Sequence, residues 1–295
     1  MESHTSMFEK KIPLVLPYDL EREIFELTAR AFPGHALKLC TLSRYVQEWM
    51  EAIIYETVVL ELPLITVQLF LKTFYSRPAS FFAKNVKRIY VTSIIDFDEA
   101  RQVLAACSGA TTVICWADRL GSKENIFQAI SPQHVERMSI KLCSFWGGLP
   151  RPHQFTGAVF PNLSHLEIVC PPSVLCPFPI EWEGLRELPG LTHLALGHLW
   201  HSVHLHLLPF FEKALAEYLN LKVLLLLSND EDFVDALDKM NILRDTRVVV
   251  QEEFNSTTTL VEYWETIRQG GPDFWASADG VIMSPLGYRK VANIE

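Results

Sequence analysis

A six-residue apolar pattern that returns at nearly even intervals constrains this chain more than any other feature. Written apolar-x-x-apolar-x-apolar, it runs Val86, Ile89, Val91, then Ala110, Val113, Cys115, then Val135, Met138, Ile140. It returns as Leu163, Leu166, Ile168, as Leu191, Leu194, Leu196 and as Leu221, Leu224, Leu226, with a truncated copy in Val248 and Val250. The middle residues stand at 89, 113, 138, 166, 194, 224 and 248, so the intervals are 24, 25, 28, 28, 30 and 24. That spacing holds one short strand, a turn and a return segment per unit, and a unit so small buries its apolar face only against its neighbours. Alternation along each strand sends the pattern residues inward and the intervening ones outward.

Return helices are expected from Phe97 to Cys107, Ser122 to Ile130, Leu207 to Tyr218 and Asp230 to Leu243. In the second, Ser122 is placed to cap free amides and Glu124 to sit near the positive end of the helix dipole. In the last, Phe233, Leu237 and Met240 make one helical stripe. Three short helices are expected before the repeats. Pro17 suits a first turn, Leu20, Ile24 and Leu27 form an apolar stripe behind it, and Asp19, Glu21 and Glu23 lie near its positive end. Pro33-Gly34 breaks that helix, a second runs about His35 to Thr41, and a third carries Leu42, Val46, Trp49 and Ile53 at steps of four, three and four.

The repeat pattern resembles that of leucine-rich repeats. The Asn or Cys that closes the turn in that family occurs here only as Cys143 and Asn229, and a Pro-rich insertion around Pro171, Pro172, Pro177 and Pro179 interrupts the series. The alternative is an ordinary α/β domain with a parallel sheet. Upstream, Leu16-Pro17, Leu20-Glu21, Ile24-Phe25, Leu37 and Leu42-Ser43-Arg44 follow the order of an F-box, with Val46 where many F-boxes carry Trp and Trp49 one turn later. Tyr263-Trp264-Glu265, Gly270-Gly271 and Asp273-Phe274-Trp275 look like the ending of F-box-like proteins abundant in mushroom-forming fungi. The fold class that the resemblance implies is α/β: a short N-terminal three-helix F-box-like segment, then an irregular leucine-rich-repeat-like solenoid of parallel strands with return helices. Its divisions are a flexible N-terminus over 1–11, the F-box-like segment over 12–55, the solenoid over 56–257 and a capping segment over 258–295.

The function implied is that of a substrate-recognition adaptor in a cullin-RING (SCF-type) ubiquitin ligase. Leu16, Pro17, Leu20, Ile24, Leu37 and Val46 would then contact a Skp-type linker protein. The outward strand residues Arg88, Tyr90, Trp116, Arg137, Lys141, His165, Glu167 and His193, with Thr112, form a mixed polar and aromatic concave surface suited to a target protein. Val223, Leu225 and Leu227 also point outward and call either for cover by a helix or the C-terminal segment or for an apolar partner site, while Trp264 and Trp275 are expected to cap the end of the solenoid, with recognition as the alternative. In the alternative reading the protein is an interaction scaffold without a ubiquitin role, and the F-box-like helices serve as a solenoid cap.

Other classes fare worse. The net charge of -9 is spread through the chain and no basic stripe forms, which argues against nucleic acid as a partner. Met1-Glu2-Ser3-His4 lacks the start of a secretory signal, so the chain is expected in the cytoplasm or nucleus. The most apolar stretch, Val58 to Leu71, is broken by Glu61, Pro63 and Gln68, so no membrane segment is expected. Cys40, Cys107, Cys115, Cys143, Cys170 and Cys176 contain no Cys-x-x-Cys pair and fit reduced core thiols; Cys170 and Cys176 alone are a weak zinc signal. His193, His198, His201, His204 and His206 crowd one segment that contains no carboxylate or thiolate to complete a metal site. No nucleophile elbow or phosphate loop occurs, and Gly147-Gly148 and Gly270-Gly271 fit turns. Neither an enzyme, a metal nor a cofactor is therefore expected.

Overall fold

A computed structural model describes residues 16–118, 124–146, 155–169, 171, 182–252, 257–283 and 290–291. The chain divides into two compact units, Met1–Ile54 and Tyr55–Glu295.

The first unit contains α1 (Tyr18–Ala31), α2 (Pro33–Leu39) and α3 (Arg44–Ile54). α1 opens directly after Pro17 with Asp19 and Glu21 in its first turn and closes with Arg30 in its last, the polarity that the helix dipole favours. Pro33 stops α1 and then starts α2, because a first-turn residue has no need of the N–H that proline lacks. Ala29, Ala36, Val46, Trp49 and Met50 form the core of this unit, with Phe25 and Leu39 partly buried against it.

In the second unit, β1 (Thr57–Leu60) is followed by α4 (Leu64–Ser76) and α5 (Ala79–Asn85), and β2 (Arg88–Val91) by α6 (Phe97–Ala106). Among the described residues β3 (Thr112–Cys115) leads to a single 3-10 turn, and β4 (Arg137–Ile140) to α7 (Leu142–Trp146). β5 (His165–Ile168) and β6 (His193–Leu196) follow, then α8 (His201–His204) and α9 (Leu208–Glu217). The unit closes with β7 (Val223–Leu227), α10 (Glu231–Lys239), β8 (Val248–Gln251), α11 (Thr257–Arg268), α12 (Phe274–Met283) and β9 (Lys290–Val291).

The strands form one parallel sheet in chain order, β1 to β9. Its register places Ile89, Val113, Met138, Leu166, Leu194, Leu224 and Val248 side by side in one row. These are the middle residues of the repeated sequence pattern. β1 adds Val58 to the row, opposite Ile89. Tyr55, Val58 and Leu60 match the same apolar template, but the long apolar run in which they lie hides them.

Two return segments differ from expectation. Over 124–130 there is no full helix, only the 3-10 turn Phe127–Ala129, because the Asn125 side chain accepts from the Gln128 N–H at 3.1 Å and sets a tighter turn; Ser122 lies outside the described residues. α10 stops at Lys239, four residues early, since Asn241 adopts a left-handed φ of 61° and a 3-10 turn at Ile242–Arg244 completes the return. α6 and α9 lie within a residue of the predicted bounds. Asp96 caps α6, accepting from the Asp98 N–H at 2.9 Å.

The two faces of the sheet have different covers. Pattern residues such as Ile89, Met138 and Leu194 pack with Phe82, Phe211, Phe233 and Leu237 from the return segments. On the opposite face, α11 and α12 place Tyr263, Trp264, Ile267, Phe274, Trp275 and Ala278 over Val59, Tyr90, Ile114, Ala195, Val223, Leu225 and Val249. Val223 and Leu225 are thus covered by the C-terminal segment. Trp264 and Trp275 lie across this face, not at the end of the sheet, because the apolar middle row needs burial there; the outer edge of β8 is paired by β9. Between the two helices Gly270 takes a left-handed φ of 77° and the Gly271 N–H donates to the Thr266 carbonyl at 2.8 Å, a C-terminal stop that turns the chain back onto the sheet. Among the described residues, no helix is long and apolar enough to cross a membrane.

Candidate functional site

Two surfaces stand out, one on each unit. On the first unit, α1 turns Leu20, Ile24 and Leu27 outward, with exposures of 48%, 50% and 61%. Leu16, Tyr18, Phe32, Leu37 and Leu42 are exposed as well, and so is Pro17. A chain segment this short gains nothing by displaying so many large apolar groups unless another surface covers them. Val46 differs from the other five predicted linker contacts. It is buried among Trp49, Met50 and Ala29, so it holds the unit together and cannot touch a partner.

On the second unit, alternation gives the covered face of the sheet three rows. The first, at the N-terminal ends of the strands, contains Arg88, Thr112, Arg137, His165, His193 and Val223. The middle row contains Tyr90, Ile114, Ser139, Glu167, Ala195, Leu225 and Val249. The third lies at the C-terminal ends of the strands, where Leu227 pairs with Gln251 and where Thr92, Trp116, Lys141, Val169 and Gly197 each follow the last paired residue of their strand.

The C-terminal helices are tied to the first row by polar contacts. Arg137 Nη1 meets Asp273 Oδ2 at 2.9 Å and His193 Nε2 lies 3.1 Å from Asp279 Oδ1. The His165 and His193 rings stack at 3.9 Å between centroids, with Trp275 edge-on to both. Burial, then the neighbouring His193 and Arg137, push the His165 pKa down to about 3, so that imidazole is neutral.

The eight predicted target contacts therefore divide. Tyr90, His165, Glu167 and His193 are buried, and a protein partner cannot reach them while α11 and α12 are in place. Arg88, Trp116, Arg137 and Lys141 are partly exposed. Arg88 pairs with Glu56, and Lys141 Nζ with Asp118 Oδ1 at 2.8 Å. The reason is the apolar content of the middle row, which recruits the C-terminal helices onto the polar groups as well.

Between the third row and the helices remains a cavity of about 210 Å³, walled by Trp116, Leu260, Tyr263 and Phe274. Glu61, Glu167 and Glu252 line it. Trp116 is held by its Nε1–H, which donates to Ser139 Oγ at 2.8 Å, and by Trp264, 5.3 Å away between ring centroids. Burial, followed by the Asp273 and Glu167 charges, raises the Tyr263 hydroxyl well above its usual range, so it keeps its proton. Gln251 is 5% exposed, lines the cavity, and its Oε1 has no hydrogen-bond partner among the described residues. Sequence reasoning found Trp116, Lys141 and Glu167 but missed Gln251 and Glu61. Gln251 was legible as the outward residue after Val249, whereas Glu61 required recognition of β1.

No group of three or more metal-ligating side chains assembles among the described residues. In the histidine-rich segment, His193 is tied to Asp279, and His204 Nδ1 accepts from the Trp200 N–H at 3.0 Å. Cys40, Cys107 and Cys115 are free thiols, and burial pushes Cys107 and Cys115 up to about 12. Cys170, Cys176 and Gly147-Gly148 lie outside the described residues, as does the Cys143 side chain. Compared with family models, curated proteins and solved structures, the chain matches none.

Proposed function

We propose that this protein is a substrate-recognition adaptor of a cullin-RING (SCF-type) ubiquitin ligase, with the first unit docking a Skp-type linker and the second holding a target protein. The observation that carries the reading is the display of Leu16, Leu20, Ile24 and Leu37 on the surface of a three-helix unit, the residues that the F-box resemblance assigns to the linker. The row of pattern residues in a sequentially ordered parallel sheet supports a leucine-rich-repeat-like solenoid, since an ordinary doubly wound domain reverses its strand order. In this reading the target uses the partly exposed Arg88, Trp116, Arg137 and Lys141.

Purified Skp-type linker should bind the wild-type chain. Leu20→Asp and Ile24→Asp should each weaken that binding at least tenfold while shifting unfolding free energy by less than about 0.5 kcal/mol, because exposed positions tolerate substitution. Absence of wild-type binding in a pull-down with pure components removes the adaptor reading.

A further inference from the structure

We propose that the cavity at the C-terminal ends of the strands binds an organic cation on a short apolar stem, an alkylammonium or alkylguanidinium group. This inference does not depend on the adaptor reading.

Charge comes first. Glu61 and Glu167 are buried, and with Glu252 they give the lining three carboxylates. Lys141 is the lysine of the lining, and Asp118 neutralises its ammonium at 2.8 Å. A space so lined favours positive charge and repels anions.

Hydrogen bonding favours the same kind of occupant. Gln251 is 95% buried, by its 5% exposure, and its Oε1 lacks a partner among the described residues. An orphaned buried acceptor is costly, and it calls for an N–H or O–H donor from an occupant. Ammonium and guanidinium groups offer several donors and no acceptor, which matches an acceptor-rich lining.

The walls favour it as well. Trp116, Tyr263 and Phe274 put aromatic surface beside the carboxylates, a combination that attracts cations through the ring quadrupole and covers an apolar stem. The Ser139 hydrogen bond and the Trp264 contact fix the Trp116 indole beforehand, so little ordering is needed on binding. The size is consistent: a cavity of about 150 Å³ admits benzene, and this one, about 210 Å³, has room for a four-carbon stem and its head group.

A free small cation and a Lys or Arg side chain of a protein share this chemistry. Calorimetric titration of the full chain with n-butylguanidinium, n-butylammonium, 1-pentanol and pentanoate tests it. Saturable binding of the cations is expected, with none for the alcohol or the carboxylate. Gln251→Leu and Glu167→Gln should each weaken cation binding at least tenfold. Competition by acetyl-Gly-Arg-Gly-amide would identify the source as a protein side chain, and failure to compete would identify a free cation. The proposal is overturned if neither cation binds the wild type, if pentanol or pentanoate binds equally well, or if both variants bind the cations unchanged. Should Glu167→Gln not fold, wild-type selectivity and Gln251→Leu still decide. Linker binding has no bearing on the outcome, so the two readings fail separately.

Discussion

Trp264 sits fully buried, with Tyr90 and Trp116 each 5.3 Å away between ring centroids, and its Nε1 has no acceptor among the described residues. Its contribution is therefore packing without a hydrogen bond. Trp264→Ala should cost about 3–5 kcal/mol as a large cavity opens. Trp264→Phe should cost only about 1–2 kcal/mol, because it removes volume and also an unmet donor. Urea unfolding at constant m-value measures both, and equal losses would contradict the packing account. His165 makes a pH-dependent contribution. Its folded pKa of about 3 lies below the ordinary 6.5, so between these values the unfolded chain takes up a proton that the folded chain excludes. The associated stability is fully present above about pH 6.5 and is lost as pH falls toward 3. His165→Asn should flatten that part of the melting-temperature profile, and an unchanged slope would show that the stacked pair is not responsible.

At the scale of elements, the return segments owe their bounds to individual residues that periodicity does not register. Gly109, between α6 and β3, permits a close approach to α5: a Cβ there would stand 2.1 Å from the Ala83 carbonyl oxygen. Gly270 has open space around it, and its requirement is the left-handed φ alone. Gly270→Ala should thus cost about 1–2 kcal/mol, and Gly109→Ala distinctly more, because backbone has to move. Thermal or urea denaturation of the two variants checks the order. α6, whose buried stripe is reinforced by the Asp96 cap, forms over its expected length, and α9 does so on its buried stripe alone. Where Asn125 or Asn241 offers the backbone a competing turn, the helix is shortened or replaced.

For the molecule as a whole, a sequential parallel sheet covered on both faces predicts a gradient of protection. β5, β6 and β8 are buried along their whole length, and β7 over all but its last residue, whereas the α1 surface is largely exposed. Amide hydrogen exchange should be slowest in β5 to β7 and fastest in α1, and uniform protection across the chain would exclude separate compact units. The arrangement also explains the placement of the candidate cavity. One register row crosses the strands at their C-terminal ends, so side chains nearly two hundred residues apart in sequence, about Glu61 to Gln251, line one space.

By itself the sequence determined the strands β2 to β8 and their register, though not β1 or β9, because seven apolar copies at steps of 24 to 30 residues leave parallel stacking of neighbours as the economical way to bury each face. It also determined which residues alternate outward, Arg88 through His193. What covers them was decided only by tertiary structure. Local alternation shows that Tyr90, Glu167 and His193 leave the inner core, but the same side chain is exposed or buried according to whether α11 and α12 return across the sheet. That return depends on long-range contacts such as Arg137 with Asp273, 136 residues apart, which no local pattern encodes. The same holds for α1, where the period of Leu20, Ile24 and Leu27 marks an apolar face and the packing of Ala29, Val46 and Trp49 leaves that face to solvent.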